Sequence, residues 1–280
     1  MMKRSPVSVL LVFSASDRLD KLVRCVEAIS VDLIAEDQIM LVVNGGAQAI
    51  ISTLPELSRW SSEMNFNTIY LTERLGFGDA LNIGLKRCLH EYVLRIDPDD
   101  ISLPGRITHQ VQSLKKQPNL AVCGGWAGEM YDDSGLISFI RETPLNHEAI
   151  VKQARFKNPM LHVSVMMRKS HVLSVGGYPK LAKGQDYFLW IKLIMKGYVL
   201  ENINRVVVWV DYSDDFSGRR GYQFFKSEVK MFIEIWKCGF ISFPILIFNL
   251  LSRIILRNSP AFIRNFIYKI KLLRGVRSVE

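Results

Sequence analysis

The sequence has few cysteines and no hydrophobic run long enough to cross a bilayer. Its four cysteines show no Cys-x-x-Cys spacing, which indicates neither a zinc cage nor a disulfide framework and fits a reducing compartment. The uncharged run at 239–251 has 13 residues and contains Pro244. A helix that spans a bilayer needs about 20 residues. The sequence is therefore not that of a polytopic membrane protein.

Motifs of several enzyme classes are also missing. The sequence has no Gly-x-Ser-x-Gly motif, and its five histidines show no metal-ligand spacing. His162 lies in an apolar run, so we interpret it as a buried residue whose polar atoms are satisfied. Hydrophobic residues make up 49% of the chain and charged residues 22%, a balance that excludes a disordered protein.

The positive charge is concentrated in the last quarter of the chain. The net charge is +9, and residues 216–280 contain 12 Lys and Arg residues against three acidic residues, so residues 1–215 are neutral. Apolar positions between 262 and 270 follow helical spacing with cations between them, which is typical of an interfacial helix on anionic lipid. The alternatives are a helix that packs on the domain, and nucleic-acid binding. No binding motif supports the latter, so we expect no nucleic-acid partner.

The beginning of the chain predicts where the protein resides. The apolar run at 7–13 is too short for a secretory signal and turns polar at Ser14. We therefore expect the protein to stay in the cytosol, bound peripherally to the cytoplasmic face of the inner membrane.

Strand and helix patterns alternate over the first 116 residues. The predicted strands are 7–13, 38–44, 67–70 and 92–96, and the predicted helices are 18–30, 55–64, 79–88 and 104–116. This alternation predicts an α/β fold with a mostly parallel central sheet flanked by helices. Further along, we expect strands at 161–167 and 205–210 and a helix at 186–196. Ligands of such sheets bind at the carboxyl ends of the strands.

The segment Asp97-Pro98-Asp99-Asp100 places three carboxylates at the end of the predicted fourth strand. Carboxylates this close repel each other, and a hard divalent cation such as Mg²⁺ or Mn²⁺ relieves that repulsion with oxygen ligands. The alternative is an acidic turn that caps the helix near Pro104.

Two further charged residues each allow two interpretations. Asp186 starts a predicted helix, so it is either an N-cap or a general base positioned in a cleft. Arg74 lies near a glycine-containing loop, where it either contacts phosphate or is a surface cation.

Five segments of the sequence, taken in order, resemble the family 2 glycosyltransferases of GT-A fold. They are VSVLLVF, LVVNGG, RLGFGDALNIGLKRCLHEYVLRIDPDDISLPGRITHQ, NPMLHVSVMMRKSHVLSVGGY and QDYFLWIKL. The likeness covers roughly residues 5–215 and is to bacterial members that build exopolysaccharide, capsule or O-antigen. It implies a metal-dependent, inverting transfer of a sugar from a nucleotide diphosphate-sugar, with a UDP-sugar expected, to a hydroxyl of a lipid-linked or polysaccharide acceptor.

The charge distribution and the resemblance together predict a division of the chain near residue 215. A GT-A domain is expected at 1–215, with a nucleotide-sugar half at about 1–116 and an acceptor half at about 117–215. A basic, apolar helical extension at 216–280 is expected to associate with an anionic membrane surface.

Site residues follow from the resemblance by motif. Asp97 is expected near the ribose and base and at the metal, Asp99 at the metal on the diphosphate, and Asp186 as the catalytic base. The remaining residues expected at the donor are Asn44, Asn82, Arg74, Arg219 and Arg220.

Two positions depart from the family pattern. Asn44 stands where an Asp usually contacts the base, and Gln185 replaces a Glu beside Asp186, which removes a negative charge that would raise the proton affinity of Asp186. These departures motivate one alternative, a catalytically impaired relative that acts as a membrane-bound scaffold. A second alternative is a nucleotidyltransferase, which would be expected to carry a Gly-rich basic loop after the first strand. Residues 14–18 are not Gly-rich.

Overall fold

The computed structural model describes residues 4–130, 137–211 and 222–258. The strands within them are β1 (Val7–Ser14), β2 (Gln38–Asn44), β3 (Asn65–Tyr70), β4 (Tyr92–Arg95), β5 (Ile101–Ser102), β6 (Leu120–Met130), β7 (Ile137–Arg141), β8 (Met166–Arg168) and β9 (Val199–Asp211). The helices are α1 (Leu19–Ser30), α2 (Gln48–Ile51), α3 (Glu56–Glu63), α4 (Phe77–Arg87), α5 (Arg106–Lys116), α6 (His147–Ala154), α7 (Lys169–Ser174), α8 (Gln185–Met195), α9 (Tyr222–Lys237) and α10 (Phe243–Asn258).

All of the described strands belong to one sheet. Its path runs β3-β2-β1-β4-β8-β6-β9-β5, with β7 paired to β6. Strands β3, β2, β1 and β4 are parallel. Beyond them the sheet is mixed, because β8 runs antiparallel to both β4 and β6 while β6 and β9 are parallel. The predicted α/β fold is confirmed, and its parallel part is formed by the first four long strands.

Helices cover both faces of the sheet because its central strands are apolar on both sides. Val9 and Leu11 of β1 lie in a core cluster with residues of α1 and α5, whereas Leu10 and Val12 lie in a second cluster with residues of α4 and α8. Successive side chains of a strand point to opposite faces, so one continuous apolar run serves both clusters.

The predicted strand at 161–167 is wrong over its first half. The Leu161 carbonyl accepts hydrogen bonds from the Ser164 backbone N–H at 3.0 Å and from its hydroxyl at 2.9 Å. These bonds close a 3₁₀ turn over His162–Ser164 and leave only Met166–Arg168 as a strand. The turn is what brings Leu161 and His162 to the wall of the cavity described below.

Helix α9 packs on α8, and α10 packs on α9. Phe232 and Ile235 of α9 are buried in a cluster with Tyr187 and Ile191 of α8. Arg253 of α10 lies over the ring of Phe232 at 4.1 Å from the ring centroid. This part of the predicted extension is therefore helical and held against the first part of the chain.

The division of the chain at 215/216 stays a prediction, and the basic positions from 264 to 277 lie outside the described residues. Among the helices of the described ranges, none combines the length and hydropathy that a membrane span requires.

Two loops at the carboxyl edge of the sheet hold each other in place. The side-chain amide of Asn44, at the end of β2, donates to the Leu75 carbonyl at 3.0 Å and accepts from the Leu75 N–H at 2.9 Å. Beside it, Gly45 has a φ of +38°, and a Cβ at this position would lie 2.3 Å from the backbone nitrogen of Arg74. Glycine is required here by both the backbone conformation and the close approach.

We predict that Gly45→Ala lowers the free energy of unfolding by about 3 kcal/mol, because left-handed strain and overpacking against backbone add together. Gly46→Ala is the matched control, since Gly46 has a φ of +76° and a Cβ there would meet nothing within 4 Å. Its expected cost is about 1 kcal/mol from strain alone. Urea denaturation measures both, and equal costs would contradict the packing argument.

Candidate active site

A cavity of about 580 Å³ opens at the carboxyl ends of β4 and β9. Its walls come from the turn after β4, the segment between α6 and β8, the first turn of α8 and the end of β9. Its acidic residues are Asp97, Asp99, Asp100, Asp186 and Asp211, and its basic residues are Lys21, Arg141 and Lys157. We call it the main cavity. It brings the predicted acidic motif and the predicted base together.

The turn after β4 gathers three carboxylates. The Asp100 N–H donates to the Asp97 carbonyl at 3.2 Å, which folds the segment back on itself. One carboxylate oxygen from each of Asp97, Asp99 and Asp100 lies within 4.8 Å of the others. Burial and the charge of Asp97 raise the pKa of Asp99 to about 6. Burial and the charges of Asp97 and Asp99 raise the pKa of Asp100.

Asp97 is oriented from below by a buried cation. Arg95, the last residue of β4, donates to the Asp97 carboxylate and also lies over the ring of Phe77 at 5.4 Å from its centroid. On the solvent side, Asp17 accepts a hydrogen bond from the Ser14 N–H at 2.7 Å. Burial and the nearby Asp97 raise the pKa of Asp17. The end of β1 therefore adds a fourth carboxylate to the region.

These residues fit a divalent cation. Hard cations take carboxylate oxygens, and the separation of the three ligand oxygens is compatible with one shared ion. The second oxygen of Asp100 is buried and has no hydrogen-bond partner among the described residues. Burial first, and then repulsion from the neighbouring carboxylates, raises the pKa values of Asp99 and Asp100, and a bound cation would oppose both effects.

Asp186 is held at the start of α8 by a neighbouring loop. The N-cap of α8 is Gly184, with a φ of +74°, so Asp186 lies in the first helical turn and is not the cap residue. The side-chain amide of Asn158 donates to the Asp186 carboxylate at 2.6 Å. Burial raises the pKa of Asp186 even though this bond and a backbone bond at Tyr187 lower it. The result is an oriented carboxylate with increased proton affinity.

His162 is half-buried in the wall of the main cavity and not fully buried as its apolar context predicted, and one of its ring nitrogens is bonded to the core. Its Nε2 lies 2.8 Å from the Tyr178 hydroxyl, and its ring contacts Phe77 and Trp190 edge-on. Burial holds the pKa of His162 well below its usual range, so the imidazole is neutral. It forms part of the cavity wall and does not supply charge.

Three other residues expected at the donor, Asn44, Asn82 and Arg74, lie outside the lining of the main cavity. Both polar groups of the Asn82 side chain bind the Tyr178 backbone, each at 2.8 Å, just as Asn44 binds Leu75. Arg74 is exposed in the loop that Asn44 holds, and its charge reaches Asp17. Arg219 and Arg220 lie outside the described residues.

The acidic run predicted all three clustered carboxylates, including the buried Asp100. Sequence reasoning missed three other features of this site. They are the carboxylate of Asp17, the Asn158 bond to Asp186, and an ion pair of 3.0 Å between Lys21 and Asp211. These three depend on contacts between distant segments.

Comparison with known proteins identifies a family and relatives of nearly the same length. The sequence profile described as Glycosyl transferase family 2 matches residues 11–175, more than half of the chain. The chain is 30% identical over 266 residues to the amylovoran biosynthesis glycosyltransferase AmsE of Erwinia amylovora, covering 94% of this chain and 97% of the relative. It is 28% identical over 268 residues to the UDP-Gal:alpha-D-GlcNAc-diphosphoundecaprenol beta-1,3-galactosyltransferase of Escherichia coli, covering 95% and 96%.

Solved structures at low identity show the fold. The mannosyltransferase PcManGT of Pyrobaculum calidifontis, in complex with GDP-Man and Mn²⁺, matches with a TM-score of 0.65 at 14% identity, over 97% of this chain and 81% of that one. TarS of S. aureus, in complex with UDP-GlcNAc, matches with a TM-score of 0.63 at 14% identity. That match covers 82% of this chain and 66% of the TarS chain, just under two thirds. The predicted GT-A fold is confirmed.

We predict that cation binding weakens as the pH falls through about 6, the pKa of Asp99, because protons and metal compete for the same oxygens. Mn²⁺ should raise the thermal unfolding temperature at about pH 7.5 and raise it far less at about pH 5. Asp99→Asn should remove the Mn²⁺ effect at both pH values, and Asp20→Asn, at an exposed site on α1, should not. Equal shifts at the two pH values in the wild-type protein would contradict the assignment.

Proposed function

The chain belongs to glycosyl transferase family 2, and on this premise we propose that it transfers a sugar from a nucleotide diphosphate-sugar to a hydroxyl of a lipid-linked acceptor, with inversion. The observation that carries the proposal is that Asp97, Asp99 and Asp186 line one cavity. Metal-binding carboxylates and a base are thereby within reach of a single substrate pair.

In this proposal Asp99 and Asp97 hold a divalent cation, Mn²⁺ or Mg²⁺, and Arg95 fixes the orientation of Asp97. A bound cation offsets the negative charge that develops on the leaving nucleoside diphosphate. Lys21 and Asp211 line the same cavity and pair at 3.0 Å, so the Lys21 ammonium is a positive group of the protein near the proposed cation.

Asp186 acts as the general base. Its ionised carboxylate accepts the proton of the acceptor hydroxyl as that oxygen bonds to the anomeric carbon, and the bond to the diphosphate oxygen breaks on the opposite face. Attack opposite to the leaving group inverts the anomeric centre. Burial raises the proton affinity of Asp186, and the bond from Asn158 fixes the carboxylate for this transfer.

The names of the relatives support the substrate classes. The E. coli relative is named for a UDP-Gal donor and a diphosphoundecaprenol acceptor, and TarS was solved with UDP-GlcNAc. We therefore favour a UDP-sugar donor and an acceptor on a lipid diphosphate, in the synthesis of a surface polysaccharide. The scaffold alternative is not favoured, because the three acidic groups needed for catalysis are present together. The nucleotidyltransferase alternative has no Gly-rich loop after β1 to support it.

An exposed apolar surface formed by the C-terminal helices and by Phe156, which follows α6, supports membrane association. Its residues are Phe156, Trp236, Phe243, Ile247, Phe248, Leu251 and Ile254. At about 100° per residue, the five residues on α10 fall within roughly 140° of the helix circumference, opposite the face that packs on α9. Ring contacts of 5.8 Å between Trp236 and Phe243 and of 6.0 Å between Phe156 and Phe248 make the surface continuous. We call it the apolar surface.

The positive charge of the C-terminal stretch indicates that the apolar surface binds an anionic membrane. The 216–280 stretch carries the whole net charge of +9, so an anionic bilayer complements it, whereas a neutral protein surface would not. We propose peripheral attachment to the cytoplasmic face of the membrane through α10.

We predict that Asp186→Asn lowers the transfer rate by about 10³-fold, the range of a lost general base, while the fold survives. Asn158→Ala should lower the rate by about tenfold and move the acidic limb of the pH–rate profile to higher pH, because the Asn158 bond lowers the pKa of Asp186. Asp20→Asn is the control for the charge change. A donor screen with radiolabelled sugar nucleotides supplies the assay, and wild-type activity in a folded Asp186→Asn variant would refute the base assignment.

We also predict that the triple variant Phe243→Ser, Phe248→Ser and Leu251→Ser binds phosphatidylglycerol vesicles at least about tenfold more weakly, because each buried apolar side chain contributes about 1.5–3 kcal/mol. Val31→Ser with Leu89→Ser is the control, since these side chains are 72% and 63% exposed outside the apolar surface. Vesicle flotation measures binding. Unchanged flotation of the triple variant would remove α10 from the attachment site.

A further inference from the structure

A second cavity adjoins the main cavity and has no role in the mechanism above. Its volume is about 270 Å³, and Lys157 and Asn158 line both cavities. From this shared wall it extends to Lys183 and Gly184 before α8, and to residues of α9 and α10. We call it the side cavity. It lies between the site of Asp186 and the helices that carry the apolar surface.

The side cavity is positively charged. It is lined by three cations, Lys157, Lys183 and Arg253, and by one carboxylate, Glu228. Arg253 is committed to the protein, because it pairs with Glu228 at 3.8 Å and donates to the Phe156 carbonyl at 2.8 Å. Within the described ranges, neither lysine has a carboxylate within 4.0 Å. The N-terminal end of α8, which begins after Gly184, adds a positive partial charge.

Three consecutive residues connect this charge to the apolar surface and to the base. Phe156 belongs to the apolar surface, Lys157 lines both cavities, and Asn158 holds Asp186. Successive Cα atoms lie about 3.8 Å apart, so the three features follow one another within about 8 Å along the chain. Asn249 of α10 fixes this segment by donating to the Arg155 carbonyl just before it, and Arg253 donates to the Phe156 carbonyl within it, each at 2.8 Å.

We propose that the side cavity binds the phosphate groups of the lipid-linked acceptor through Lys157 and Lys183. The inference rests on the proposed function and assigns the acceptor an orientation: its lipid chain lies at the apolar surface, its phosphates in the side cavity, and its sugar hydroxyl at Asp186. A phosphate ester is the matching chemistry, since a lysine ammonium recognises phosphate as a point charge and the cavity offers two.

The first test measures phosphate binding without catalysis. Full-length protein is titrated with decyl diphosphate by calorimetry in EDTA, where Asp97 and Asp99 hold no cation. The Lys157→Ala, Lys183→Ala variant should bind on the order of tenfold more weakly for each lysine removed. The control is Lys152→Ala with Lys196→Ala, two exposed lysines on α6 and after α8 that lie outside both cavities. Equal affinity in wild type and the Lys157, Lys183 variant would overturn the proposal.

Two further binding measurements distinguish this site from a donor site and from a site for membrane headgroups. Binding of UDP with Mn²⁺ should be unchanged in the Lys157, Lys183 variant, and a matching loss would assign the lysines to the donor. Binding to phosphatidylglycerol vesicles should fall far less than binding to decyl diphosphate, and an equal fall would assign the cavity to membrane headgroups. Either of these results would overturn the proposal. Absence of sugar transfer in the wild type would refute the proposed function, whereas diphosphate binding in EDTA is measured independently of transfer.

Discussion

Repulsion among the carboxylates that follow β4 is the interaction that the residues beneath the candidate site have to offset. Asp97 and Asp100 are balanced from beneath by two buried guanidinium groups, because Arg95 pairs with Asp97 and the charge of Arg106 attracts Asp100. Burial lowers the pKa of Arg106 to about 9, and its guanidinium donates to the carbonyls of Arg95 and Val163. Asp99 lies on the cavity side of this pair of guanidinium groups, and burial and the charge of Asp97 raise its pKa to about 6.

Local pattern and topology together account for what the sequence could predict. β2 has the predicted bounds because its apolar run is uninterrupted from Ile39 to Val43 and the strand ends at a pair of glycines. Asp99 and Asp186 are distant in the chain but line one cavity. Their meeting was predictable because sheets of this kind form their binding crevice at the carboxyl ends of the strands. The bond between Asn158 and Asp186 was out of reach, because it joins the loop after α6 to the start of α8 and has no local signature.

Where prediction failed, side-chain hydrogen bonds had replaced the expected structure. The apolar run around His162 predicts a strand, but Ser164 bonds back to Leu161, and Gln110 donates to the Ser164 carbonyl at 2.8 Å. The interfacial helix and the packed helix were posed as alternatives for residues 262–270, which lie outside the described residues, and α10 precedes them. One face of α10 packs on the chain through Leu246, and the opposite face exposes Phe248.

Any substitution at position 44 has to treat this residue and the loop after β3 as one unit. The two polar atoms of the Asn44 amide replace a missing pair of peptide hydrogen bonds between the ends of β2 and β3. An aspartate, the usual residue of the family at this place, would still accept from the Leu75 N–H. It would leave the Leu75 carbonyl without its donor and place a negative charge against it. A substitution of Asn44 alone, made to change which nucleotide base is bound, would therefore first displace the loop after β3.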